Sequence, residues 1–322
     1  MKTRWTGVVG DVGGTYARFA VVDDEGHARH PMTYRARDFG SLTEVLEKYL
    51  EGTTPRKYPP RAVMAVAGPV LDGEIEFTNL DWQVSEVELL AHFEFEAVSL
   101  INDFAAQALA CPQLQADDLR ALGPTLRAAR DCPVVVMGAG TGFGVAGLAR
   151  SARGDIPIAT EGGHASFAPG DELEVELWRR ARARHGRTSI ERLLCGAGLH
   201  DIYCDLAEMA GLPADLLDEA AVMTAGVAGE VVAAQALDRF AAILGSVAGD
   251  LALSFGARGG VFISGGIAPR MADRLAASPF RTRFEAKGRM SGYVRAIPTS
   301  LIIHPYPAIV GAARALGQLE RM

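Results

Sequence analysis

The chain has 322 residues, of which 49% are hydrophobic and 22% are charged, and its formal net charge is −7. This length predicts about two domains with separate cores, and an acidic chain without a Lys/Arg block is not expected to bind nucleic acid. The start of the chain lacks the apolar core of a signal peptide, and no apolar run is expected to span a membrane. The four cysteines show neither C-x-x-C nor zinc-ligand spacing, so we expect reduced thiols and a cytoplasmic location.

Strands and helices alternate in the predicted elements of the first third of the chain, with polar loops at 52–60 and 78–82. The expected strands lie on both sides of a glycine turn at 10–15 and at 32–35, 62–67 and 97–101, and the expected helices at 42–50, 85–92 and 104–111. Ser41 is the predicted N-cap of the first helix. Strands that alternate with helices indicate parallel α/β construction.

A second α/β series is predicted to begin with a strand at 133–137. The elements expected after it are helices at 172–185 and from Ile190 onward, a long alanine-rich helical region at 223–257 with a break near Gly245 or Gly249, a strand at 260–264 and a final helix at 308–319. A strand followed by a glycine turn recurs in both halves. This recurrence suggests two half-domains that face one nucleotide.

The first glycine turn has the residue types of a phosphate site. Gly13 and Gly14 can adopt positive φ, which lets backbone N–H groups converge on an anion, and Thr15 adds a hydroxyl donor. Asp11 beside a phosphate suits a Mg²⁺ ion, since two negative charges alone repel. An ordinary hairpin turn also explains paired glycines at this position.

The second glycine turn, at 138–144, follows another buried strand. A dinucleotide fingerprint starting at Gly138 would need glycine at position 143, where Phe143 stands. The segment after the turn is predicted to be a second strand. A phosphate cradle with Thr141 as hydroxyl donor therefore fits better, and the sequence contains no Walker-type motif.

Asn102 and Asp103 follow a buried strand at the point where a helix is expected to begin. Ligands of open α/β sheets collect at the carboxyl ends of strands, and a carboxylate there can take the proton of a hydroxyl that attacks phosphorus. Asn and Asp are also preferred N-cap residues. One of the two residues could cap the helix while the other acts in catalysis.

Glu161 and His164 frame two glycines and suit hydrogen bonding to vicinal hydroxyls, although an ordinary surface loop explains them as well. A metal-binding E-x-x-H helix is disfavoured because glycines oppose the helix. Glu191 ends the segment 188–191, which matches a capping box. The local sequence therefore favours a helix cap for Glu191.

Taken in order, these motifs resemble the bacterial glucokinase family of the actin and hexokinase superfamily. The matching segments lie at 10–15, 100–104, 137–142, 161–164, 189–192 and 264–267. Each segment alone is a weak signal, but six in order are specific.

Tyr16 departs from the Asn that is frequent in the family, and a nearby polar contact is expected to be lost. The zinc motif and helix-turn-helix of the related repressors have no counterpart, which argues against DNA binding.

The resemblance implies an α/β fold of the two-domain actin/hexokinase-like (ribonuclease H-like) type with a central cleft. A smaller α/β domain would comprise 1–108 plus 302–322, and a larger one 109–301. The implied reaction is ATP-dependent phosphorylation of glucose at the 6-hydroxyl, which gives glucose 6-phosphate and ADP. The alternatives are a kinase of another hexose and a non-catalytic sugar-sensing regulator of the same fold. The protein is also expected to form a homodimer.

The resemblance also implies the site residues. Asp103 would be the catalytic base and would contact the sugar. The other sugar hydroxyls would be bound by Asn102, Glu161, His164 and Glu191. The phosphates of ATP and Mg²⁺ would be surrounded by Gly10, Asp11, Val12, Gly13, Gly14, Thr15, Gly138, Gly140 and Thr141, with Gly265 and Gly266 near adenosine. Asp11 would hold the Mg²⁺ ion through water.

Overall fold

A computed structural model describes residues 4–54, 57–77, 80–152 and 154–319. The chain divides into two compact units: unit 1 is Met1–Leu114 with His304–Met322, and unit 2 is Gln115–Ile303. The domain boundaries expected after residues 108 and 301 stay a prediction. The expected start of the chain at 1–3, the end of the smaller domain at 320–322, and parts of the loops at 52–60 and 78–82 lie outside the described residues.

The elements of unit 1 up to the third helix are β1 (Gly7–Val12), β2 (Tyr16–Val22), β3 (Ala28–Arg35), α1 (Leu42–Thr53), β4 (Arg61–Val66), β5 (Glu74–Glu76), β6 (Gln83–Ser85), α2 (Glu86–Phe93), β7 (Ala97–Asn102) and α3 (Asp103–Ala110). The strands form a five-stranded sheet in the order β3-β2-β1-β4-β7 and a separate hairpin of β5 and β6. β1, β4 and β7 run parallel. Their carboxyl ends therefore lie at one edge of the sheet.

Ser41 caps α1 as predicted, since its hydroxyl accepts a hydrogen bond from Glu44 N at 3.1 Å. The helix buries one apolar face against the sheet, and Tyr49 and Phe19 are fully buried in this core with ring centroids 5.5 Å apart. The Tyr49 hydroxyl donates to the carbonyl of His30 at 3.1 Å, so the buried ring keeps a polar partner.

The elements of unit 2 are β8 (Leu119–Ala121), β9 (Val134–Ala139), β10 (Phe143–Ser151), β11 (Gly154–Thr160), α4 (Glu172–His185), α5 (Gly196–Met209), α6 (Glu219–Ala228), α7 (Val231–Phe255), β12 (Gly260–Ser264), α8 (Ala272–Ala277), α9 (Phe280–Glu285), α10 (Ser291–Arg295) and β13 (Thr299–Ile302). The strands form a six-stranded sheet in the order β11-β10-β9-β12-β13-β8. β12 runs parallel to β9 and β13. The carboxyl ends of these strands again share one edge.

The last helix, α11 (Pro307–Leu319), belongs to unit 1 and packs against α3. The two helices approach closely at Gly311, where an added Cβ would overlap the carbonyl oxygen of Ala106. This close contact fixes α3, and with it Asp103 at the start of α3, against the rest of unit 1.

The alanine-rich region differs from its prediction, because its break lies at Gly229 instead of Gly245 or Gly249. Gly229 has φ +93° and ends α6, while α7 runs without interruption. A Cβ at Gly245 would overlap the carbonyl oxygen of Phe280, and one at Gly249 would lie 2.5 Å from that of Phe284. These two glycines therefore allow α9 to pack closely on α7.

By length and composition α7 is apolar enough to cross a membrane, contrary to the expectation that no segment would qualify. It is the one such helix among the described residues, and 72% of its most apolar stretch is buried. Core helices pass the same criterion, so the finding is weak evidence for a membrane span.

The four cysteines are free thiols, and two of them, Cys111 and Cys195, are buried.

Candidate active site

The turn between β1 and β2 lies at the carboxyl edge of the unit 1 sheet. Gly13 N donates to the carbonyl of Tyr16 at 2.9 Å, which closes the turn. Contrary to the expected use of positive φ, neither Gly13 nor Gly14 adopts it. A Cβ at Gly13 would have the Tyr16 carbonyl oxygen, at 3.8 Å, as its nearest neighbour. Packing alone therefore does not require glycine at position 13. Because Gly13 has no side chain, the backbone of the turn is open to a ligand.

Asp11 lies near the end of β1, directly across from Arg18 of β2. Arg18 Nη1 donates to Asp11 Oδ2 at 2.9 Å, and the Asp11 side chain is 18% exposed. Burial raises the pKa of the Asp11 carboxyl, while the neighbouring Arg18 charge opposes that rise. The Arg18 guanidinium also lies 5.6 Å from the ring centre of the exposed Tyr16. Arg18 therefore holds the carboxylate that is predicted to serve Mg²⁺.

Two further residues predicted to lie near the phosphates, Gly10 and Val12, are buried within β1. A Cβ at Gly10 would lie 2.5 Å from Met64 Sδ, so close packing alone accounts for this glycine. The carbonyl of Val12 accepts from Ala67 N at 3.0 Å. The side chain of Val12 faces the core, which leaves only its backbone for a ligand.

Asn102 ends β7 and Asp103 begins α3. Asn102 Oδ1 accepts from Ala105 N at 3.0 Å, which makes Asn102 the N-cap, and its Nδ2 donates to the carbonyl of Gly68 at 3.2 Å. Asp103 Oδ1 accepts from the adjacent Phe104 N at 2.8 Å. Because Asn102 caps α3, the helix does not need the Asp103 carboxylate for that role.

The β1 turn and Asp103 lie at the same edge of the unit 1 sheet. The register aligns Val12 with Val66 on β4, and Val66 with Asn102 on β7. Since neighbouring strands lie about 4.8 Å apart, the ends of β1 and β7 are separated by about 10 Å.

In unit 2, the turns after β9 and β12 pack backbone against backbone. The strands pair Gly138 with Ser264, and a Cβ at Gly138 would overlap the Ser264 carbonyl group. Gly265 has φ +86°, and a Cβ there would overlap the carbonyl of Ala139. Glycine is required at positions 138 and 265 by this close approach.

Other glycines of these two turns border open space. A Cβ at Gly140 or Gly266 would meet nothing within 4 Å, and Thr141 between the strands is exposed. The turn is closed by Gly140 N, which donates to the Gly142 carbonyl at 2.9 Å. Gly140, Thr141 and Gly266 thus border a surface that a ligand can approach, whereas Gly138 and Gly265 are packed against backbone.

Glu161, His164 and Glu191 converge in unit 2. His164 Nε2 lies 3.8 Å from Glu161 Oε2, and His164 Nδ1 lies 3.9 Å from Glu191 Oε1. The side chains of Glu161 and His164 are 59% and 58% exposed, while that of Glu191 is 28% exposed. Carboxylate acceptors flank an imidazole that can donate or accept, which suits vicinal hydroxyls of a polyol.

The capping-box interpretation of Glu191 is wrong, and so is a helix beginning at Ile190. Helix α5 starts at Gly196 with Cys195 as its N-cap, and the residues before it form turns. Glu191 Oε2 instead accepts from Phe143 N at 2.8 Å. This partner is 48 residues away in sequence, so a local motif could not reveal it.

Two arginines that support these side chains were not predicted. Arg18 pairs with Asp11. The antiparallel register of the β1–β2 hairpin places Arg18 directly opposite Asp11, and this register was the sequence signal that could have predicted the pair. Arg187 Nη2 donates to the His164 carbonyl at 2.8 Å and lies 3.3 Å from Ser166 Oγ. Arg187 holds the loop that carries His164, and no sequence motif marks it.

Comparison with known proteins identifies the family of the chain. The family model described as Glucokinase matches residues 8–319. Glucokinase of Caulobacter sp. (strain K31) is 48% identical over 313 residues, covering 96% of this chain and 94% of that protein. Glucokinase of Chromohalobacter salexigens is 43% identical over 314 residues, covering 97% and 98%.

Solved structures show the same fold. A glucokinase from an Antarctic psychrotroph has a TM-score of 0.87 and 39% identity, covering 97% of this chain and 98% of that one. A ROK family glucokinase from Streptomyces griseus, solved with glucose and AMPPNP, has a TM-score of 0.65 at 18% identity, covering 97% and 99%, and supports the fold alone. The expected two-domain actin/hexokinase-like fold class is confirmed, and the chain belongs to the glucokinase family.

Proposed function

We propose that this ATP-dependent glucose kinase uses Asp103 as the base for the 6-hydroxyl. The observation that carries the proposal is the division of roles at the start of α3, where Asn102 caps the helix. A carboxylate in this position at a strand's carboxyl end is suited to proton transfer. The experiment that tests it is the Asp103→Asn variant described in the Discussion.

In the proposed reaction, Asp103 takes the proton of the 6-hydroxyl while that oxygen bonds to the γ-phosphorus of ATP. The bond from the γ-phosphorus to the bridging oxygen breaks, and ADP leaves. The Gly14 N–H and the Thr15 and Thr141 hydroxyls would donate to the phosphates. Gly13 and Gly140 use their own N–H groups to close the two turns, and their missing side chains would let the phosphates approach the backbone. Gly265 and Gly266 would lie near adenosine, and the backbone at Gly10 and Val12 would support the first turn.

Asp11 fits the Mg²⁺ ion that the family implies. Arg18 occupies Asp11 Oδ2, and Oδ1 has no partner among the residues that the structure describes. One carboxylate oxygen, acting through water, is a donor that Mg²⁺ accepts beside phosphates. When bound, the ion would offset negative charge on the ATP phosphates.

Glu161, His164, Glu191 and Asn102 would bind the remaining sugar hydroxyls. The convergent carboxylates and imidazole of the first three residues support this role within unit 2. In unit 1, the place of Asn102 next to Asp103 at the carboxyl end of β7 supports it. A sugar that lacks one of these hydroxyls would leave a polar group unpaired, which gives selectivity.

Glu161→Gln is expected to raise the KM for glucose about tenfold with little change in kcat, because a hydrogen bond to a charged group contributes about 1.5–3 kcal/mol. Steady-state kinetics with saturating ATP measure this split. Glu208→Gln, an equally conservative change at a side chain 74% exposed on α5, serves as the control. A glucose KM unchanged by Glu161→Gln would remove Glu161 from the sugar site.

Two alternatives to a glucose kinase are considered: a kinase that phosphorylates another sugar, and a regulator that binds sugar without catalysis. A kinase of another hexose would prefer that sugar in a panel of mannose, fructose and N-acetylhexosamines measured by ADP release. A sugar-sensing regulator would bind glucose without turnover. The presence of Asp103 and of both glycine turns favours the kinase.

We also propose a cytoplasmic homodimer that binds neither nucleic acid nor membranes. The net charge of −7 supports the absence of nucleic-acid binding. Apart from the exposed Val231 at its start, helix α7 is mostly buried and so offers little surface for a subunit contact. Leu217 and Val227, outside α7, are exposed apolar residues. Sedimentation velocity separates a dimer from a 34.2 kDa monomer.

A further inference from the structure

The two oxygens of the Glu191 carboxylate face different parts of unit 2. Oε2 accepts from Phe143 N at 2.8 Å, at the end of the turn between β9 and β10. Oε1 lies 3.9 Å from His164 Nδ1, beside the proposed sugar ligands. One side chain therefore touches both the proposed phosphate turn and the proposed sugar site.

Gly142 makes this contact possible. A Cβ at Gly142 would lie 2.6 Å from Glu191 Oε2 and 3.4 Å from its carboxyl carbon. Contacts below 3.0 Å force a neighbour to shift, and here the neighbour is the carboxylate itself. A residue larger than glycine at position 142 therefore shifts the Glu191 carboxylate, which is the end of a flexible side chain, and disturbs its contact with Phe143 N.

Backbone contacts join the same segments. Glu191 N donates to the carbonyl of Gly163 at 2.9 Å, between the two proposed sugar ligands of that loop. A Cβ at Gly163 would overlap the carbonyl oxygen of Phe143. Gly196 N donates to the Gly140 carbonyl at 2.9 Å, which ties the turn to the start of α5. The phosphate turn cannot move far without moving the sugar loop.

We propose that Glu191 couples the two substrates through its two carboxylate oxygens, and that Gly142 in the phosphate turn is a positioning residue that determines glucose affinity through Glu191. This inference rests on the proposed role of Glu191 in sugar binding. A hydroxyl held by Oε1 restricts the carboxylate, and the carboxylate restricts Phe143 N and the turn. By linkage, a nucleotide held by the turn strengthens sugar binding by the same factor.

The matched pair Gly142→Ala and Gly140→Ala tests the inference, because both add one methyl group to the same turn. Isothermal titration with glucose and no nucleotide gives the dissociation constant. We expect Gly142→Ala to raise the glucose dissociation constant about tenfold, because the displaced Glu191 carboxylate loses one charge-assisted hydrogen bond to a sugar hydroxyl. Gly140→Ala, which has open space for its Cβ, is expected to alter the KM for ATP and to change the glucose dissociation constant less than about twofold.

Equal glucose dissociation constants in the two variants would overturn the inference while leaving the kinase assignment intact. Wild-type protein that binds no glucose would instead overturn the proposed sugar site. Thermal unfolding of both variants shows whether they are folded.

A second pair decides the question if Gly142→Ala does not fold. Glu191→Gln keeps an oxygen that can accept from Phe143 N, whereas Glu191→Ala does not. We expect both variants to raise the KM for glucose, and Glu191→Ala alone to raise the KM for ATP severalfold. Equal ATP KM values in the two variants would contradict the coupling.

Discussion

Asp103→Asn is expected to lower kcat for glucose phosphorylation by about 10²- to 10⁴-fold, the usual contribution of a general base. The amide retains an oxygen that can accept from Phe104 N, as the carboxylate does now, so α3 should still begin at the same residue. It cannot take the proton of the 6-hydroxyl. The KM for glucose is expected to change much less than kcat, and a coupled assay of ADP release measures both.

Asp218→Asn is the matched control for Asp103→Asn. Asp218 is the N-cap of α6, where its Oδ1 accepts from Ala221 N at 2.8 Å, and asparagine caps a helix as well as aspartate. Its turnover is expected to equal that of the wild type. Turnover near the wild-type rate in Asp103→Asn would exclude Asp103 as the base.

Glu174→Ala is expected to cause the largest loss of stability, about 3–5 kcal/mol in the free energy of unfolding of unit 2. The Glu174 side chain is fully buried and lies 2.9 Å from Arg239 Nη1 and 2.8 Å from Arg283 Nη2. It also accepts from Gly170 N at 2.7 Å. Without the Glu174 carboxylate, the two mostly buried guanidinium groups share a single carboxylate partner, that of Asp171. Urea unfolding followed by circular dichroism measures the loss.

The neighbouring Glu176 provides the control on the same helix. Glu176 is 34% exposed and pairs with Arg180 at 3.0 Å, so Glu176→Ala is expected to cost less than about 1 kcal/mol. A similar small loss for both variants would show that the buried cluster around Glu174 contributes little to stability.

The sequence predicted those features that local patterns determine. The Ser41 cap and the bounds of α4 depend on side chains within one turn of the residue concerned. The order of the glycine motifs identified the family and the fold class, and both are confirmed. At Asn102 and Asp103 the residue types left two roles open, and only the contacts to Ala105 N and Gly68 assigned the cap.

The sequence failed where a partner lies far along the chain. Glu191 completes a capping-box pattern, yet its carboxylate is bound by Phe143 N on another strand. Gly245 and Gly249 look like helix breaks, but the carbonyls of α9 occupy the space of their missing side chains. Such contacts depend on tertiary packing, which periodicity and propensity do not describe.

The most direct test of the central claim is to identify the products of the wild-type protein by ³¹P nuclear magnetic resonance. With Mg²⁺, ATP and glucose, we expect ADP and glucose 6-phosphate to appear in equal amounts, and no ADP to form when glucose is omitted. Release of inorganic phosphate at the same rate with and without glucose would contradict the account, as would a phosphate on any oxygen other than that of carbon 6.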